Sequence, residues 1–311
     1  MDAAALPFRA AGAPLASSHP GYAETRTMRS GKPSRTAQFV AYNRALGTLA
    51  PQVPGFSDPM AAELLPDKWK KKIERARRSL AGKPGKSPYP FWLRGMGLFN
   101  QFRTMVLDRV IATAAPIGQL VILGAGFDTR AWRLDALEQA TVFEVDHPDT
   151  QALKRERAAA IPTKAQQVRF LATDFQQDNL GASLCAAGYD VNRPVFWLWE
   201  GVTIYLRPDA VAANLKTFAA LSAPGSHLAL TYLSKDGGRI PRSLFLALLG
   251  EPVRSAYSPA ELTDLAKTCG WARTADSGIQ DWLRDPTPGL RLTKRQAGLQ
   301  WFERIWVAGL T

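Results

Sequence analysis

Cysteine and histidine are scarce in this chain of 311 residues, which carries 2 Cys and 3 His. Cys185 and Cys269, with His19, His147 and His227, lie too far apart for paired metal spacing. A disulfide framework and a zinc site are therefore excluded, no metal is expected, and a reducing, cytoplasmic compartment fits. Long apolar runs are missing as well. No stretch reaches the roughly 18 to 20 residues that a membrane span needs, and the N-terminus has no basic segment followed by an unbroken apolar core. The chain is expected to be soluble, with no membrane partner. Internal repeats are absent, which rules out a repeat array. Acidic residues are the minority charge, 27 Asp and Glu against 39 Lys and Arg, and the net charge of +12 favours anionic partners without implying nucleic acid.

What is present, 46% apolar residues in a chain of this length, can fill one large α/β core. Residues 1–33, rich in Ala, Pro, Gly and Ser and interrupted by Pro7, Pro14 and Pro20, read as a disordered leader. From Ser34 the pattern changes. Ser34 or Thr36 can cap a helix that puts Phe39, Tyr42, Leu46 and Leu49 on one stripe. A second helix spans Asp67 to Leu80, DKWKKKIERARRSL, where Lys68, Lys70, Lys71, Lys72, Arg75, Arg77 and Arg78 form a run broken only by Glu74. Such a run is either a solvated face or a docking surface for an anionic partner. With no stacking aromatic beyond Trp69 and no RNA module, nucleic acid is the weaker choice. After the loop from Ala81 to Lys86, a third helix runs from Phe91 to Ala115 and carries Arg94, Arg103 and Arg109.

The chain is organised around Val121 to Pro148, VILGAGFDTRAWRLDALEQATVFEVDHP. Val121, Ile122 and Leu123 stop at Gly124 as a buried parallel strand does at a sharp turn. Gly124, Ala125 and Gly126 form that turn, where a missing Cβ lets a ligand approach the backbone. Asp128 or Thr129 can then cap a helix through Ala131, Trp132 and Leu134. A second strand, Thr141 to Val145, ends in Asp146, about twenty residues after Gly126, the spacing of an acid that holds a ribose hydroxyl. This is a nucleoside-binding βαβ unit. It lacks the third glycine of the dinucleotide fingerprint, and Thr129 or Arg130 stands near that place. The third glycine serves close approach to a pyrophosphate; S-adenosylmethionine has no phosphate, so the methyl donor is favoured over a nicotinamide cofactor.

Carboxylates recur at later strand ends. Val168 to Ala172 is a third strand followed by Thr173, Asp174 and Phe175; Asp174 either accepts from an adenine amine beside the Phe175 ring or caps the next helix. Pro194 to Trp199, the most apolar short run, is a central strand ending in Glu200. Buried there, Glu200 needs a cation, which the ammonium or sulfonium of the cofactor would supply. A helix from Pro208, a strand from His227 to Tyr232, a capping box at Ser258 and Glu261, and two tail strands near Thr274 to Ile279 and Phe302 to Gly309 complete the pattern. Lys235 to Leu249 reads as an insertion where a substrate lid would sit. No His-Asp base pair is visible. Tyr205 and Tyr232, near strand ends, are the candidates for a catalytic role, and either could simply pack; His147 reads as structural.

GAGFDTRAWRL, FEVDHP, TDF and WLWEGVTIYL together resemble the leucine carboxyl methyltransferase family, in its bacterial O-methyltransferase branch, from about Ser34 to the C-terminus. The resemblance implies a class I, Rossmann-like α/β fold. Its sheet would have seven mostly parallel strands with a reversed last pair and helices on both faces, and residues 34–115 would form a helical cap over a cofactor-binding core at 116–311. It implies S-adenosylmethionine as cofactor, with Arg103 on the methionyl carboxylate, Gly124, Ala125 and Gly126 at the turn and Asp146 on the ribose. Asp174 and Phe175 would meet the adenine, Glu200 the methionyl end, and Arg44 becomes a pocket residue. The expected activity is methyl transfer to a carboxylate or hydroxyl of a small-molecule acceptor, anionic or carrier-bound. The alternatives are a nicotinamide-dependent oxidoreductase and a non-catalytic cofactor-binding or RNA-docking module.

Overall fold

The apolar runs of the sequence lie side by side in the computed structural model, which describes residues 33–83, 87–89, 94–173, 179–236, 253–284 and 303–311. β1 (Gln119–Leu123), β2 (Thr141–Asp146), β3 (Gln167–Ala172), β4 (Phe196–Trp199) and β5 (His227–Leu233) are parallel. β7 (Glu303–Leu310) enters antiparallel between β5 and β6 (Trp271–Gly278), giving seven strands in the order β3-β2-β1-β4-β5-β7-β6. The two tail strands lie near the expected positions, but only β7 is reversed; β6, antiparallel to β7, runs in the same direction as β1 to β5. Strand order changes direction between β1 and β4, and such a switch point leaves a crevice at the carboxyl ends of the strands. Register brings Leu123 opposite Val145, so the Gly124 turn ends up beside Asp146.

Side chains alternate across the sheet and make two cores. Leu120, Ile122, Phe196, Leu198 and Ala229 face one, together with the N-terminal helices. Val121, Leu123, Trp197, Trp199, Leu230 and Tyr232 face the other. The first core is covered by α1 (Arg35–Leu49), α2 (Met60–Glu63), α3 (Asp67–Leu80) and α4 (Arg94–Thr113). Ser34 caps α1, its Oγ accepting from the Ala37 N–H at 3.1 Å. The inward face of α1 differs from the expected aromatic stripe. Gln38, Asn43 and Arg44 are buried with Ala41, Ala45 and Leu46, while Phe39 and Tyr42 are half-buried. The reason is the neighbour that each side meets. Trp69 of α3 lies 4.8 Å from the Tyr42 ring and donates to Gln38 Oε1 at 2.9 Å, and the other flank meets a cluster of acids described below.

After the glycine turn comes a second difference. The helix expected through Ala131, Trp132 and Leu134 is α5 (Arg130–Arg133), four residues long, which stops short of Leu134 because that residue adopts an extended conformation. A short 3-10 turn follows and delivers Leu137 into the core. The remaining helices are α6 (Pro148–Ala158), α7 (Leu180–Ala186), α8 (Pro208–Ala220), α9 (Pro259–Lys267) and α10 (Ile279–Arg284). α9 starts with the expected capping box of Ser258 and Glu261. Pro33 to Thr311 form one compact unit. Among the described residues, no helix is long and apolar enough to cross a membrane. Most of the leader, 1–32, and most of the basic insertion, 237–252, lie outside the described residues.

Candidate functional site

The carboxyl ends of β1, β2 and β4 meet the inner faces of α1 and α4, and Arg103, Gly124, Ala125, Gly126, Asp146 and Glu200 converge there. Gly124 and Gly126 have φ of +65° and +50°, in the left-handed region that a side chain resists. Space is short as well. A Cβ on Gly124 would lie 2.5 Å from Val202 Cγ2, and one on Gly126 would lie 2.9 Å from the Ala37 methyl of α1. The turn therefore requires glycine for its own conformation and for the close approach of α1, beyond any need of a ligand. Ala125 donates its N–H to Val145 O at 3.0 Å and ties the turn to β2.

Asp146 closes the turn from below. Its carboxylate accepts from the N–H of Gly126 and, at 2.6 Å, from that of His147. Burial raises its pKa and those two backbone bonds pull it back down without cancelling the rise. A carboxylate offers about four lone-pair sites, so two bonds leave room for the vicinal hydroxyls of a ribose. His147 acts as a helix cap, its Nδ1 accepting from the Asp149 N–H at 3.3 Å, in keeping with a structural role.

Glu200, just past β4, sits in a lattice of buried charge. It lies 2.8 Å from Arg103 Nε and accepts from Arg130 Nη1 at 2.8 Å. The cation it needs is thus supplied by the protein itself, before any cofactor. Burial would push its carboxyl up, but Arg130 and Arg103 outweigh burial and hold it below the usual range. Arg130, almost fully buried, also donates to Asp108 at 2.8 Å and to Asp128. Asp128 falls to about 2 because Arg130, ahead of Lys154 and Arg44, overcomes its burial. Arg103, on α4, spans Glu200 and Glu303, its Nη1 lying 3.1 and 3.0 Å from the two Glu303 oxygens. Arg94 and Arg109, the other arginines of that helix, are exposed. Arg44 reaches the loop after the turn, donating to Phe127 O at 2.5 Å and to Asp58 Oδ2 at 2.9 Å. Asp58, wholly buried, also accepts from Thr129 Oγ1 at 2.9 Å.

Arg103, Gly124, Ala125, Gly126, Asp146 and Glu200 therefore come together. Tyr232 does not. Its ring belongs to the opposite core, its hydroxyl donates to Asp276 at 2.8 Å, and burial followed by that bond raises its pKa far beyond use as a base. Tyr205 ends a short 3-10 turn after β4 and is half-buried. Asp174 and Phe175 lie outside the described residues. Asp58, Asp108, Arg130, Arg133 and Glu303 were not foreseen. Arg130 and Arg133 stand three apart just after the turn, a spacing that could have marked a buried cationic pair, but the acids that meet them come from distant segments.

Residues 37–219 match the model of the leucine carboxyl methyltransferase family. A Mycolicibacterium gilvum protein named as an S-adenosyl-L-methionine-dependent methyltransferase is 36% identical over 266 residues, 80% of each chain. A Streptomyces coelicolor protein with the same description is 35% identical over 216 residues, 65% of this chain and 66% of its own. Among solved structures, a methyltransferase from Thermobifida fusca shares the fold, with a TM-score of 0.56 and 18% identity over 91% of this chain and 97% of that one. The sheet order, the glycine turn and the sequence likeness agree: the chain belongs to the leucine carboxyl methyltransferase family of S-adenosylmethionine-dependent methyltransferases.

Proposed function

We propose that this methyltransferase acts on oxygen, transferring the methyl group to a carboxylate or hydroxyl of a small-molecule acceptor. The cofactor side of this reading rests on the opposed charges of Arg103 and Glu200 beside the glycine turn and Asp146. The amino-acid end of S-adenosylmethionine is a zwitterion, and this donor set suits both of its charges. Arg103 offers a planar fork for the carboxylate and Glu200 an ionised acceptor for the ammonium. Arg103 Nε lies 2.8 Å from Glu200 yet makes no directed hydrogen bond, so this N–H is not committed to Glu200 by a well-aligned bond. Asp146 takes the ribose in this reading, and Asp174 with Phe175 the adenine.

When bound, the cofactor supplies an electrophilic methyl on sulfur. The chain's own work is to orient and to exclude water. Ala37 and Arg44 of α1 lie over Gly126 and Phe127 and close the site from above. A carboxylate acceptor, with a pKa near ~4, needs no base, which is consistent with Tyr232 being turned away. The exposed Lys68, Lys71, Lys72, Arg75 and Arg78 of α3, none of them in an ion pair among the described residues, support an anionic acceptor or an acidic carrier.

Isothermal titration with S-adenosylhomocysteine tests the cofactor site. Binding by the wild type, lost in Arg103→Ala and Glu200→Gln, supports it; no binding by the wild type overturns it. A tritiated-methyl assay across extract fractions, followed by base treatment, tests the acceptor. Base-labile label identifies an ester and stable label an ether, whereas label on nitrogen would end the oxygen assignment.

A further inference from the structure

Three carboxylate claims meet on Arg103, and the geometry shows which one must yield. Nε faces Glu200 at 2.8 Å and Nη1 faces both oxygens of Glu303, so among the described residues' contacts only Nη2 is left for a ligand. A carboxylate bound in two places needs two neighbouring N–H groups. Glu200 is anchored twice, since Arg130 also holds it at 2.8 Å, and Arg130 is itself fixed by Asp108 and Asp128. Among the described residues Glu303 has no second ion-pair anchor: Arg103 is its one ion-pair partner. Its carboxylate also retains some solvent contact, with 18% exposure against 12% for Glu200.

Glu303 stands at the first position of β7, opposite Leu233 at the carboxyl end of β5. It lines a small cleft with Ser234, Asp236, Gly278, Gln280 and Arg304. The carboxylate can therefore leave Arg103 without crossing the core. We propose that Glu303 is a place-holder for the methionyl carboxylate, occupying Arg103 in the ligand-free protein and turning into this cleft when the cofactor binds. The inference rests on the cofactor reading above. It adds an order of events: the Glu303 carboxylate is released from Arg103 to face Ser234, Gln280 and Arg304 only after the cofactor has taken Arg103. Glu303 is thus a positioning residue, acting through Arg103.

The test compares two ligands on the full chain. S-adenosylhomocysteine carries the methionyl carboxylate, and 5′-methylthioadenosine shares the nucleoside but lacks that group. Glu303→Gln keeps the shape and removes the charge, and a neutral partner holds Arg103 about half as strongly as an ionised one, so S-adenosylhomocysteine should bind roughly tenfold tighter. The affinity for 5′-methylthioadenosine should stay unchanged. Glu303→Ala, read with its melting temperature, should move in the same direction. Equal affinities of wild type and both variants for S-adenosylhomocysteine would overturn the inference. So would a parallel loss for both ligands, which marks Glu303 as merely structural. Failure of the wild type to bind S-adenosylhomocysteine at all would instead overturn the cofactor reading, and this inference with it.

Discussion

Replacing Arg130 by Met tests the buried charge lattice at its centre. The guanidinium is 1% exposed and serves Asp108, Asp128 and Glu200 at once. Two of these acids keep a cation after its removal. Asp108 retains Arg133, at 2.5 and 2.9 Å, and Glu200 retains Arg103. Asp128 alone is stranded, with a backbone N–H at 2.7 Å and only more distant cations. Stranding one buried carboxylate costs about 3 to 5 kcal/mol, a large share of the roughly 5 to 15 kcal/mol that holds a domain together. Urea denaturation at pH 7 should show that loss with an unchanged slope. Adding Asp128→Asn removes the stranded charge, and the double variant should recover about half of the loss, a coupling read from a double-mutant cycle. The pH response should invert. In the wild type the Asp128 pKa lies at about 2, below its ordinary 3.8, so its contribution is present above 3.8 and is lost as pH falls through about 2. Without Arg130, burial dominates and raises that pKa, so the variant should gain on the wild type as pH falls from 7 towards 4. A loss under about 1 kcal/mol, or no rescue by Asp128→Asn, would refute the reasoning.

Gly126→Ala should lower stability by about 1 to 2 kcal/mol through its positive φ, and by more through the 2.9 Å approach to Ala37. Ala37→Gly in the same chain should restore only the packing part in a thermal melt. Tyr232→Phe should cost about 1 kcal/mol, since Asp276 keeps Arg304 at 2.6 Å, and should leave S-adenosylhomocysteine affinity unchanged. Loss of that affinity would return Tyr232 to the site. Glu144, fully buried, is raised to about 7 by burial even though Lys154 at 2.6 Å pulls the other way. The folded state then holds this proton more tightly than the unfolded one, so stability should fall as pH rises from about 4.5 to about 7. Glu144→Gln should flatten that part of a stability-against-pH curve, and an unchanged slope would count against the assignment.

What the sequence determined by itself is local and periodic. Apolar runs stopped by glycine or an acid marked β1, β2 and β4, and an apolar run alone marked β5, because a strand buried on both faces must be apolar along its length. The helix from Asp67 to Leu80 and the capping box of α9 were legible for the same reason: neighbours in the chain satisfy their ends and set their faces. The turn at Gly124 to Gly126 and its acid at Asp146 follow from a spacing within one βαβ unit. Tertiary structure alone decided the rest. It chose which face of α1 looks inward, ended α5 after one turn, and sent Tyr232 to the far core. It also assembled the charge lattice. Glu303 is 200 residues from Arg103, and Asp58 is 71 from Thr129, so no local pattern could announce either contact. A buried charge is tolerated only where the fold brings it an opposite one, and that pairing is a property of packed space.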